Sequence, residues 1–410
     1  MLNSKGEREL AYLVKIDDIT PINGYDRVEL AHVGGWTVVV GKNEFKAGDT
    51  AIYFEIDSRL PEKPPFSDME FLVKKHYKIQ TQKMCKSISQ GLLMAVNQFP
   101  GWEVQVDGTV LDNNSGDHGL HTFYGDSRFL TKDLEVTYAV AEDNKRKASS
   151  LDKYKKMAQR HPVLFKKKFI KWLMKRNWGK KFLFFFFGKK KDKKTGWPAW
   201  VQKTDEERIE NLSFYFGTKD AWIATEKIDG TSTTFTLLRG KGLFKRNEFF
   251  VCSRNVVFDK PDKKCFYESN VYTEMAEKYN IEQKLTDILN EHPEYDWVTI
   301  QGETFGASIQ KRDYHMKEHD FAAFNFITST EGRWNSIEMK NYLTAHGVPC
   351  VPIINESYVL PDNLETLRNY VNREKSKIDG DIREGLVFRS QDGKKSFKCV
   401  SPEFLLKYHG

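Results

Sequence analysis

Between about Glu9 and Val140, short runs of β-branched and aromatic residues alternate with turn formers. Ala11 to Ile16, Gly35 to Gly41, Thr50 to Ile56 and Gly91 to Val96 have the texture of half-buried strands. Pro21-Ile22-Asn23-Gly24, Lys46-Ala47-Gly48-Asp49 and Asn97 to Gly101 supply turns, since Gly and Asn take positive φ at little cost. Strands this short leave exposed edges unless the sheet closes, which predicts an OB-like barrel of about five strands. From Trp197 onward the pattern changes. Strand-like ATEKID, STTFTLL, WVTIQGE, HDFAAFNFI and EGLVFR alternate with helix-like Asn270 to Glu291 and Ser336 to His346. The expected class is α+β: an N-terminal OB-like β-barrel in residues 1–140 and a mixed α/β domain in residues 197–410.

Residues 141–196 fit neither pattern and read as a basic linker or insertion. Lys145 to Thr195 holds twenty Lys and Arg against Asp152 and Asp192, a charge of +18 in a chain whose total is +7, so everything else sums to −11. The basicity is an appendage. Val163, Leu164, Phe165, Phe169, Ile170, Trp172 and Leu173 can line one face of a helix whose other face carries lysines. Such a helix suits RNA phosphates, an anionic membrane surface or the chain's own acidic domains, with phosphate contact the favoured reading. The apolar run Phe182 to Phe187 is far too short to span a bilayer.

Length and composition narrow the class. A chain of 410 residues, 40% hydrophobic and 30% charged, has room for two or three packed domains and is neither disordered nor fibrous. Cys85, Cys252, Cys265, Cys350 and Cys399 are scattered and never in a CxxC pair, so neither a disulfide framework nor a zinc site is expected. The N-terminus, MLNSKGERELAYLV, lacks a basic segment followed by an apolar run, and a cytoplasmic monomer with no transmembrane segment is expected.

Candidate chemistry begins at Thr225-Glu226-Lys227-Ile228-Asp229-Gly230-Thr231-Ser232, a lysine and an aspartate two apart after a strand. Alone, a Lys-x-Asp-Gly turn carries little. Ser253-Arg254-Asn255, Gln301-Gly302-Glu303-Thr304-Phe305-Gly306, Phe324-Asn325-Phe326, Arg383-Glu384-Gly385-Leu386-Val387-Phe388-Arg389 and Ser396-Phe397-Lys398 then follow in order. Together these blocks resemble the successive motifs of the covalent nucleotidyltransferases, the group of ligases and capping enzymes.

Within that group the chain resembles RNA ligase family 5, which carries an OB module before its catalytic domain and ends soon after the last motif. Ile19 to Asp57 is similar to such an OB module, Pro198 to Arg208 (PAWVQKTDEER) to the segment before the nucleophile, and Ser396 to Lys407 (SFKCVSPEFLLK) to the C-terminal signature. The resemblance covers about Glu9 to Ala139 and Trp197 to the C-terminus.

The resemblance implies an ATP-dependent RNA ligase working through a lysyl-adenylate on Lys227 in an adenylation domain. The chemistry explains the residue types: the attacking lysine must be an amine, and cations must meet the charge that gathers on the phosphate oxygens. Lys398 and a Mg²⁺ or Mn²⁺ ion are the implied cations, with Asp229, Glu303 and Glu384 holding the metal largely through its water shell. Glu226 would meet the adenine through its backbone, Phe324 stack on the base, Arg254 lie near the ribose or the RNA end, and Arg208 near the nucleotide phosphate. Relatives commonly carry KxK in the last motif where this chain has Ser396-Phe397-Lys398, so the first lysine is absent or replaced by Lys394 or Lys395. The implied substrate is a nick with an RNA 3′-OH strand. Two alternatives stay open: a DNA ligase or mRNA guanylyltransferase using the same lysine chemistry, and a non-catalytic RNA-binding protein with a degenerate ligase domain.

Overall fold

A computed structural model of the chain describes residues 1–99, 128–139, 168–187, 197–202, 204–242, 246–254, 256–258 and 270–409. The chain divides into two compact units, one of Met1–Asn144, Asp205–Lys227 and Ile353–Gly410, the other of Lys145–Thr204 and Ile228–Pro352.

The first unit holds the OB fold. Strands β1 (Ala11–Lys15), β2 (Asp18–Ile22), β3 (Tyr25–Val33), β4 (Trp36–Gly41) and β5 (Thr50–Phe54) are followed by the short β6 (Ser58–Arg59), β7 (Thr81–Met84), β8 (Ser87–Gln90), β9 (Leu92–Ala95) and β10 (Thr137–Tyr138). They form antiparallel sheets in the orders β1-β5-β9, β2-β3-β4, β7-β8 and β10-β6. Val39 N–H donates to Ser89 Oγ and Thr37 Oγ1 to the Ile88 carbonyl, linking β4 to β8. The expected runs at Ala11, Gly35, Thr50 and Gly91 became β1, β4, β5 and β9. The pattern missed β2 and β3, whose exposed and half-buried positions dilute the alternation.

The OB core does not close on itself. Tyr12, Trp36, Tyr53, Phe54 and Phe66 are joined in one buried cluster by Val400 and Leu405 from the far end of the chain. Trp36 Nε1 donates to Asn211 Oδ1 (2.8 Å), Gly35 N–H to the Glu210 carbonyl (2.8 Å) and Gln80 Nε2 to the His409 carbonyl (2.6 Å). In the same unit lies a sheet ordered β18-β11-β19-β20, from β11 (Ala221–Lys227), β18 (Ile353–Val359), β19 (Gly385–Ser390) and β20 (Ser396–Val400). Trp222, Leu386, Phe388 and Phe397 form its core, under the helix Leu364–Arg373 that buries Leu367 and Val371.

The second unit is built on a sheet ordered β14-β13-β12-β15-β16-β17. Its strands are β12 (Thr231–Leu238), β13 (Glu248–Ser253), β14 (Val257–Phe258), β15 (Trp297–Gly306), β16 (His319–Thr328) and β17 (Gly332–Arg333). Helices Val271–Lys278, Ile281–Glu291 and Ser336–Ala345 pack Met275, Leu285, Ile288, Met339 and Leu343 into the core with Phe235, Ile300, Phe321 and Phe326. The single helix expected over Asn270 to Glu291 is two, because Asn280 turns the backbone left-handed (φ 49°) between them.

Gly302 in this sheet has no room for a side chain. A Cβ on Gly302 would stand 2.3 Å from Phe321 Cζ and 2.5 Å from the Ala322 carbonyl, beside a register shift between Gln301 and Gly302. Gly302→Ala is expected to destabilise the domain by about 1–3 kcal/mol through overpacking, measured as a lower urea midpoint at unchanged m-value.

Among the described residues no helix is long and apolar enough to cross a membrane. Val163, Leu164 and Phe165 of the expected basic helix lie outside the described residues; the described helices there are Lys168–Met174 and Asn177–Phe187.

Candidate active site

Strand register assembles the site in the first unit. Lys227 is the last residue of β11 and pairs with Gly385, the first residue of β19, so Glu384 stands immediately before that strand. Lys227 Nζ lies 2.7 Å from Glu384 Oε1, an ion pair whose side chains are 25% and 11% exposed. That is the geometry of a shielded, reachable amine.

Lys398 sits on β20 opposite Val387, and its neighbour across an isolated parallel bridge is Arg208. Burial presses the Lys398 ammonium below its ordinary pKa. Asp205, 3.3 Å away, opposes that shift, while Arg8, Arg208 and Lys227 add to it. Arg208 is buried, 3.3 Å from Asp57 and 3.7 Å from Glu55, and its Nη1 has no hydrogen-bond partner among the described residues. Buried donors normally find partners, and an unmatched guanidinium nitrogen in a group with Lys398 and Lys227 is what a phosphate would satisfy.

Beneath these cations Glu55 accepts from the Met1 amine, Arg8 Nη2 (2.6 Å) and the Tyr12 hydroxyl (3.1 Å). Burial alone would raise its pKa, but the Met1 amine, Arg8 and Arg208 outweigh that and hold it below the usual carboxylate range. Glu226 is buried, its carboxylate accepts the Lys377 backbone N–H at 2.8 Å, and on β11 it pairs with Leu386 of β19.

The remaining sequence candidates belong to the second unit, whose segment Ile228–Pro352 starts at the residue after Lys227. Asp229 is buried and its N–H donates to the Tyr314 hydroxyl at 2.6 Å. Gln310 Nε2 donates to the Gly230 carbonyl at 2.8 Å, so the turn after the lysine is held at two backbone points. Glu303 lies on β15 between Ser232 of β12 and Ala322 of β16. Phe324 is half-buried on β16, whereas Phe321, Ala323 and Phe326 are buried in the core cluster. Arg254, directly after β13, is half-buried. Among the described residues no three His, Cys, Asp or Glu side chains gather as a metal-holding group.

Sequence reasoning missed four supporting residues. Asp205 pairs with Lys398, and Glu206 with Arg389 at 3.0 Å. Their signal was present in the acidic run preceding Arg208. Tyr314 and Gln310 had none, because they stand some eighty residues from the turn they hold.

Residues 220–409 match the family model described as RNA ligase, and residues 10–96 match that of an OB-fold domain. The C-terminal domain belongs to the RNA ligase family. The fold of the whole chain is also that of solved structures of Naegleria gruberi RNA ligase, each 24% identical. A mutant with ATP and Mn gives a TM-score of 0.68, covering 98% of this chain and 100% of that chain. The protein with PPi gives 0.66, covering 97% and 98%, and a mutant with AMP and Mn gives 0.66, covering 98% and 99%. No curated protein matches the chain.

The RNA ligase domain ties its last helix to the loop before Glu384. Asp381 accepts from Lys407 Nζ (3.0 Å) and Tyr408 (3.2 Å), and hydrogen bonds from Lys407 and the Ile382 N–H hold its pKa down at about 2. The folded pKa lies below the unfolded one, so this contribution is fully present above about pH 4 and is lost as pH falls toward 2. Asp381→Asn is expected to lower the melting temperature at pH 7 while narrowing its gap to the parent as pH falls through that window, read by circular dichroism.

Proposed function

We propose that the chain is an ATP-dependent RNA ligase that joins a 3′-OH to a 5′-phosphate through an AMP carried on Lys227. The observation that supports this most is the Lys227–Glu384 pair at 2.7 Å, in one unit with Lys398 and the incompletely bonded Arg208. The Lys227 amine attacks the α-phosphorus of ATP, a P–N bond forms, and the bond to pyrophosphate breaks. Glu384 is placed to take the proton that the ammonium must lose first. Lys398 and Arg208 meet the charge on the phosphate oxygens, preorganised by Asp205, Asp57 and Glu55. AMP then passes to an RNA 5′-phosphate, and a 3′-hydroxyl displaces it.

Asp229, Glu303 and Glu384 are hard carboxylate donors of the kind that suits Mg²⁺ or Mn²⁺ held through its waters. When bound, the ion supplies electrostatic stabilisation of the phosphates. Glu226 offers its backbone to adenine, Phe324 its ring to the base, and Arg254 its charge to the ribose or RNA end.

The organisation that suits this activity is residues 1–140 as OB module, 141–196 as basic insertion and 197–410 as catalytic domain. The substrate is a nick with an RNA 3′-OH strand, with additional phosphate contacts from residues 145–195, and the protein acts as a cytoplasmic monomer. Incubation with labelled ATP, GTP or NAD and a divalent metal, followed by a denaturing gel, tests the reading. Label retained from ATP is expected; label from GTP alone would indicate a capping enzyme, and none from any nucleotide a non-catalytic RNA binder.

A further inference from the structure

The helices Lys168–Met174 and Asn177–Phe187 play no part in the chemistry above, yet they carry four exposed large rings, Phe169, Trp172, Trp178 and Phe182. Leu173 and Leu183 are buried, and a Cβ on Gly179 would stand 2.2 Å from the Leu173 carbonyl, so the two helices meet closely through small and aliphatic positions. Their large rings point the other way: Phe169 is 66% exposed, Trp172 43%, Trp178 56% and Phe182 51%. Lys175, Arg176 and Lys181 are exposed beside them. Phe169 stacks on Trp172 (5.8 Å, 17°), Trp178 meets Trp172 edge-on (6.3 Å), and the Arg176 guanidinium lies 3.9 Å from the Trp172 centroid.

We propose that this helix pair is a docking surface for an unpaired RNA strand, with bases stacking on its exposed rings and phosphates meeting Lys175, Arg176 and Lys181. The inference rests on the ligase reading for the identity of the polyanion. Charge complementarity carries it: outside Lys145 to Thr195 the chain sums to −11 and repels RNA at long range, so the +18 of that stretch is where the substrate is drawn in. Rings beside cations are the combination that holds single strands without sequence preference, since every base has a stacking face. Duplex phosphates alone would use the cations and leave the rings idle.

The test uses the full chain and a labelled oligouridylate, with anisotropy measured at several salt concentrations. Lys175→Gln/Arg176→Gln/Lys181→Gln is expected to reduce the slope of log K against log salt by about 2. Trp178→Ala/Phe182→Ala is expected to weaken binding about tenfold or more at every salt concentration with the slope unchanged. Both variants should retain AMP labelling of Lys227 like the parent, because these side chains are exposed and outside the site. Unchanged affinity in both overturns the proposal, and loss confined to the cation variant overturns base stacking. Loss of co-flotation with phosphatidylglycerol vesicles at unchanged RNA affinity assigns the surface to lipid instead. A parent chain that takes no label from ATP would defeat the ligase reading while leaving the oligouridylate measurement to stand by itself.

Discussion

Lys227→Ala is expected to retain no AMP after incubation with labelled ATP and metal, a loss of ~10³-fold or more in the rate of label capture, equivalent to at least ~4 kcal/mol of barrier. No neighbouring group can substitute. Lys398 is paired with Asp205 and buried, and Arg208 carries a guanidinium rather than an amine. Lys227→Arg should fail equally, since a guanidinium preserves the charge opposite Glu384 but offers no free amine pair. The fold should survive both changes, because Lys227 ends its strand with its side chain a quarter exposed. A Lys227→Ala protein that still captures AMP at the parent rate would remove the lysine from the chemistry.

Lys398→Ala is expected to slow label capture by about 10²–10³-fold, the usual effect of removing one preorganised donor from a developing charge. Lys398 is buried, and burial with the nearby Arg8, Arg208 and Lys227 disfavours its charged form while Asp205 favours it. Its folded pKa is therefore below the ordinary 10.5, and the charge that serves the phosphate is lost as pH rises through that lowered value. Label capture that depends on Lys398 should accordingly decline on the alkaline side earlier than an ordinary lysine would dictate. Asp205→Asn removes a charge that opposes this shift and should move the alkaline limb to still lower pH, with less effect near neutrality. An alkaline limb unmoved by Asp205→Asn would dissociate the Asp205–Lys398 pair from catalysis.

Sequence reading reached the chemistry before the architecture. Lys227, Glu303, Glu384 and Lys398 stand out as candidates because phosphoryl transfer restricts the residue types and the motifs follow one another in order. Strands β1, β4, β5, β9, β11, β12, β15 and β16 were legible from their alternation or apolar runs. Strands β2 and β3 were not, since a partly exposed strand has no sharp period, and one helix read as continuous broke at Asn280, whose left-handed backbone no spacing rule announces.

The sequence by itself determined the order of the candidate motifs, the likeness to RNA ligases and the concentration of positive charge between Lys145 and Thr195, because these depend on residue identity and on order along the chain. Tertiary structure alone decided that Glu384 stands 2.7 Å from Lys227, that Asp205 opposes the lowering of the Lys398 pKa, that Tyr314 holds the Asp229 backbone, and that the OB core takes Val400 and Leu405 from the chain's end. The reason is physical: register between strands far apart in sequence sets which side chains meet, and the energy of a charge depends on the burial and neighbours that such meetings create.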